Sequence, residues 1–124
     1  MWVLGLPQLL VGLYALALPR DFWRDFPLGR AWVSVVGPYN EHLVRDVGAL
    51  LIAISAVVLL AANRADRRFV VGALVAWLLF VVPHLAFHAL HTESLSALDN
   101  ALQIAALGFQ AVLPVVLLRW TRKM

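Results

Sequence analysis

Residues 69–91 read FVVGALVAWLLFVVPHLAFHALH, an apolar run closed by histidines. From Phe69 to Leu90 there is no Asp, Glu, Lys or Arg. At 1.5 Å of rise per residue, a helix of this length crosses the ~30 Å hydrocarbon core of a bilayer. Three further runs repeat the pattern: Trp2 to Leu18, Leu43 to Ala62 and Ala101 to Leu118. Short segments of alternating polarity, the mark of a spanning β-barrel, are absent, so helices are the spanning form. The sequence therefore predicts an all-α integral membrane four-helix bundle, a single domain over residues 1–124.

Composition supports a lipid environment. Hydrophobic residues make up 63% of the chain and charged residues 14%, against roughly 45–50% and about 25% in soluble domains. The net charge of +3 is carried at the ends of the apolar runs. No basic patch with interleaved aromatics is present, which excludes a nucleic-acid partner. The absence of cysteine excludes disulfides, thiolate metal sites, iron–sulfur clusters and covalent haem attachment. Ala15-Leu16-Ala17 resembles a signal-peptide cleavage site, but no basic leader precedes the first run, which reads as a retained span.

The connections are unequal: a long loop over 19–42, a short turn over 63–68, a modest loop over 91–100 and a basic tail over 119–124. With four spans, the termini and the 63–68 turn share one side. That side holds Arg64, Arg67, Arg68, Arg119, Arg122 and Lys123 against Asp66 alone. The other side holds Arg20, Arg24, Arg30 and Arg45 against Asp21, Asp25, Glu41, Asp46, Glu93 and Asp99. The positive-inside rule then predicts a multi-pass protein of the plasma (inner) membrane, N-in and C-in, with both larger loops outside.

All four histidines belong to the outer side. His84, His88 and His91 follow i, i+4, i+7 spacing and form one stripe at the end of the third run. His42 and Asp46 are four apart on the second run, which the short turn makes an antiparallel neighbour of the third. The two stripes are expected to meet. Asp99, Gln103 and Gln110 form a third stripe on the fourth run, and Gln8 lies at a depth comparable to Gln110. Polar groups within spans usually face a bundle interior. The expected result is an outward-opening polar funnel between the second, third and fourth spans.

Imidazole and carboxylate are the ligand set of Zn, Fe, Mn, Ni or Cu(II) sites. His42, Asp46, His84 and His88 are the candidate metal ligands, with His91 or Asp99 in support. Glu41, Arg45, Asp99, Gln103 and Gln110 are the candidate polar surroundings. Plainer roles stand beside these. Ser96 and Asp99 have capping-box spacing, Asn40 suits an N-cap, and Glu41 with Arg45 makes an i, i+4 ion pair. Asp46 bonded to a histidine would hold two helices together without any metal. Trp2, Trp23, Trp32 and Trp120 suit the membrane interface. Pro83 removes a backbone donor beneath the histidines and is expected to kink the helix there. The aromatics Phe22, Trp23, Phe26, Trp32 and Tyr39 offer a lid over the funnel, and Arg20, Arg24 and Arg30 could meet phosphate or an acidic ligand.

The stretches FWRDFPLG (22–29) and GPYNEHLVRDVG (37–48), followed by the Pro83-His84, His88, His91 run, resemble a family of small four-helix membrane proteins from actinobacterial genomes. The resemblance covers most of the chain. It implies the architecture and the selection of residues, and brings no activity with it. A further comparison is with membrane fatty-acid hydroxylases, whose di-iron sites need several histidine boxes; one H-x-x-x-H does not complete such a site.

Three classes of function follow. The first is a divalent transition-metal site, catalytic on a lipid-like substrate or simply metal-binding, with haem b on His42 and one third-run histidine as a variant. The second is an accessory subunit of a larger membrane complex, with a structural polar core. The third is a proton or ion pathway through Asp46, Gln103 and Gln110. Small residues at Gly48, Ala49, Ala53, Gly72 and Gly108 would permit close helix contact, within the chain or in a homo-oligomer.

Overall fold

The computed structural model describes residues 1–121; Arg122 and Lys123 of the basic tail lie outside the described residues. The chain is all-helical among those residues: α1 Trp2–Ala17, α2 Pro19–Asp25, α3 Glu41–Arg64, α4 Arg67–Leu90 and α5 Ala97–Thr121. The last three extend past the apolar runs because capped polar turns close them. Asn40 accepts from the Leu43 N–H at 3.1 Å and Asp66 accepts from the Phe69 N–H at 2.8 Å. Between α3 and α4, Ala65 takes the left-handed conformation (φ 50°) that ends one helix and lets the next begin two residues later.

Helices α3, α4 and α5 are each long and apolar enough to cross a membrane. The sixteen residues of α1 extend about 24 Å at helical rise, short of the hydrocarbon core. Together with α2 it qualifies as a bent pair, broken by 116°. The expected polar loop over 19–42 thus begins as a helix. Pro19 at the first turn of α2 is well placed, since its missing N–H would have no helical acceptor there. Arg45 donates to the carbonyl of Leu16, one of the acceptors left open where α1 stops. Phe22 of α2 is buried edge-on against Tyr14 at 5.5 Å, which pins the bend.

The helices pack in the order α1–α3–α4–α5, and α5 makes no comparable contact with α1. The α1–α3 seam is very close: a Cβ on Gly48 would stand 2.7 Å from the Leu16 nitrogen and 2.9 Å from the Gly12 carbonyl oxygen. The main core joins α1, α3 and α4 through Leu4, Val58, Ala61, Leu74, Trp77 and Val81. The face of α5 toward α4 buries Gln103, Leu107, Pro114 and Thr121. Elsewhere α5 exposes Leu102, Phe109, Val112 and Val116, side chains suited to lipid.

Candidate functional site

At the C-terminal half of α4 the core face emerges into the open. Trp77 and Val81 are fully buried, and His84 and His88 continue the same face at 4- and 3-residue steps. His84 is exposed and His88 half-buried. Aromatic contacts fix their rings. His84 stacks on Phe80 at 5.4 Å, and His88 meets His84 edge-on at 4.8 Å. His91 belongs to a neighbouring column: it stacks on Phe87 at 4.3 Å, and its Nδ1 donates to the Phe87 carbonyl at 2.8 Å. A carbonyl only accepts, so this contact places a hydrogen on Nδ1. α4 runs unbroken through Pro83.

His42 and Asp46 form a separate pair, with Nε2 3.2 Å from Oδ2 and both side chains largely exposed (87% and 57%). α3 directs Val44, Gly48, Leu51 and Ser55 toward α1, which leaves residues 42 and 46 well round the helix from that seam. The expected single constellation is therefore not formed. Among the described residues no three His, Asp or Glu side chains gather in a way that could hold a metal ion. The polar stripes do not share one axis either. Gln8 is buried on the face of α1 that meets α3, and Gln103 is buried on the face of α5 that meets α4. The side-chain oxygens of Gln103 and Gln110 are buried without a hydrogen-bond donor.

The plainer roles of the other polar residues are realised. Glu41 pairs with Arg45 at 2.9 Å. Ser96 and Asp99 form a reciprocal cap: the Asp99 N–H donates to Ser96 Oγ at 3.1 Å, and Oγ donates to Asp99 Oδ2 at 2.7 Å. Asp99 does more than cap. Its Oδ1 accepts from Arg30 at 2.7 Å and from the Trp32 indole at 2.9 Å. One carboxylate thus fastens the middle of the long loop to the start of α5. The loop is folded on itself around this lock. Trp23 donates to the Gly37 carbonyl at 3.1 Å, and Trp32 N–H to the Phe26 carbonyl at 2.7 Å. Leu28, Gly29 and Ala31 all adopt positive φ, a strained conformation for the two non-glycines that surrounding contacts must hold.

The fastened loop covers part of the histidine end. Trp32, Val35 and Val36 face Phe87, His88 and His91 across a recess of about 80 Å³, with Glu93 at its edge. The histidines, and Arg30 and Trp32 of the loop, are legible in the sequence. The closure of Arg30 and Trp32 on Asp99 is not legible there, its one signal being an acid at a helix start opposite a loop rich in Arg and Trp. No protein-family model, no curated protein and no solved structure matches the chain.

Proposed function

We propose that this chain is a four-span accessory subunit of the plasma membrane, both termini cytoplasmic, whose outward end is a rigid docking platform for a larger membrane complex. The observation that carries this reading is the threefold engagement of Asp99 by Arg30, Trp32 and Ser96. A carboxylate saturated in this way has a fastening role, and it turns a long aromatic loop into a fixed surface. The excess of arginine at the opposite end supports the orientation. The test is native purification of the tagged chain in mild detergent from its own host. A particle larger than one chain, reduced to the chain alone by Trp32→Phe with Asp99→Asn, is expected. A wild-type chain that migrates alone defeats the reading.

A second reading, a divalent transition metal held at the outward end, is favoured by one observation: His84 and His88 stand on successive turns with ring centres 4.8 Å apart. Two such imidazoles supply half a tetrahedral ligand set, and the remainder would come from water, a second copy or a partner. Metal content by plasma mass spectrometry, wild type against His88→Ala, decides it. An absorption spectrum of the same sample tests haem b through its Soret band. Stoichiometric metal lost in the variant would replace the platform with a metal site; no metal in either leaves the platform standing.

A further inference from the structure

At the end of the molecule opposite the histidines, the gap between α1 and α5 widens into a groove of about 700 Å³. Its walls are Trp2 of α1, Ala61 and Ala62 of α3, Val70 of α4, and Leu117 and Trp120 of α5. The volume falls within the roughly 300–1,000 Å³ of small-molecule sites. It exists because α4 is the one helix on which α5 packs substantially and because alanines stand where larger side chains would close the seam. Trp2 and Trp120 are exposed at its sides, and tryptophan at a span end marks the headgroup level. The groove thus opens at the boundary between acyl chains and headgroups.

Its rim is basic. Arg64 ends α3 within a turn of Ala61 and Ala62. Arg67 begins α4 one turn before Val70 and donates Nε to the carbonyl of Thr121, itself a groove residue. That contact holds the guanidinium beside the groove and does not use its two terminal nitrogens. Arg68 and Arg119 lie at the same end, and among the described residues none of Arg64, Arg68 and Arg119 is paired with an acid. The one acid there, Asp66, is engaged by the Phe69 N–H.

We infer that this groove is a binding site for an anionic glycerophospholipid of the surrounding bilayer, its acyl chain lying between α1 and α5 and its phosphate against Arg64 and Arg67. Apolar walls alone would take any lipid. The arginines, able to bond phosphate oxygens in pairs, supply the preference for negative charge. The inference is independent of the role of the opposite end.

The test is native mass spectrometry of the full chain after equilibration with mixed micelles holding equal phosphatidylglycerol and phosphatidylcholine. Wild type is expected to retain phosphatidylglycerol selectively. Arg64→Gln with Arg67→Gln should lower that selectivity about tenfold, whereas Arg20→Gln with Arg24→Gln, an equal charge change at the other end, should leave it intact. Ala62→Phe, which keeps every arginine and fills the groove, should abolish retention. Equal retention of both lipids, equal losses in the two double variants, or lipid retained by Ala62→Phe overturns the site. No lipid on wild type also overturns it.

Discussion

Trp77 donates its indole N–H to the backbone carbonyl of Gln110 at 3.0 Å, and this contact repairs a gap in α5. The helical donor to that carbonyl would be residue 114, which is Pro114 and has no N–H. In hydrocarbon an unsatisfied carbonyl costs several kcal/mol, since no water can replace the missing donor. Trp77 is fully buried in the main core. One side chain therefore fills the space between α4 and α5 and supplies the bond that the proline withholds.

Trp77→Phe should accordingly destabilise the protein by more than its loss of volume, by about 1–3 kcal/mol for the abandoned carbonyl. Pro114→Ala should rescue part of that loss, because alanine at 114 returns the helical donor. Unfolding titrations of the two single variants and the double variant in detergent measure the coupling. Strictly additive losses would separate Trp77 from Pro114 and remove this account of the α4–α5 contact.

The α1–α3 seam makes the second prediction. A Cβ at Gly48 meets backbone atoms of Leu16 and Gly12 below 3.0 Å, and a Cβ at Gly12 meets the Gly48 carbonyl oxygen at 2.9 Å. Backbone cannot swing aside as a side chain can, so the helices must separate. Gly48→Ala should destabilise by roughly 1–3 kcal/mol. Gly72→Ala and Gly108→Ala add a methyl to open space and should be neutral or stabilising by up to about 1 kcal/mol. Similar losses at Gly48 and Gly72 in the same titration would contradict the seam.

These two contacts show what was legible in the sequence. The apolar runs located α3, α4 and α5 because length and hydropathy are local properties, and Asn40 and Ser96 announced their caps. Gly48 was legible as a close-contact position, whereas Gly72 and Gly108 look the same in sequence and pack against nothing. What separates them is which face a neighbouring helix covers, a non-local fact. The helix at 19–25 was hidden because Leu18-Pro19 reads equally as a loop entrance and as a helix start. His42 and Asp46 share a face with each other, but their distance from His84 depends on how α3 divides its circumference between α1 and α4. Spacing along one chain segment carries no information about that division.

The Asp99 lock predicts a protease phenotype. Replacing Asp99 with Asn keeps the shape and removes the charge that Arg30 and Trp32 share. A hydrogen bond to a charged group contributes about 1.5 kcal/mol or more, so the loop should open about tenfold more often. Trypsin cleavage after Arg30 should accelerate to a similar degree, while cleavage after Arg64 at the opposite end stays constant. Unchanged cleavage at Arg30 would mean that the loop is held by its own turns, without Asp99.

The shortness of α1 leaves its crossing to be tested directly, and the absence of cysteine makes the test clean. Four spans with inward termini place Val3 and Asn63 in the cytoplasm and Ser94 outside. Packing along α3 sets Trp2 beside Ala61 and Ala62, so Val3 and Asn63 share a side in this fold. Val3 changes sides alone only if α1 leaves the α3 seam and enters and returns with α2. Single cysteines at the three positions, probed in intact cells with a membrane-impermeant maleimide, separate the cases. Ser94→Cys should label at once, whereas Val3→Cys and Asn63→Cys should label only after permeabilisation. Labelling of Val3→Cys in intact cells would reduce the spans to α3, α4 and α5. Labelling of Asn63→Cys there instead would invert the protein and place its arginine-rich end, with the lipid groove, on the outer leaflet.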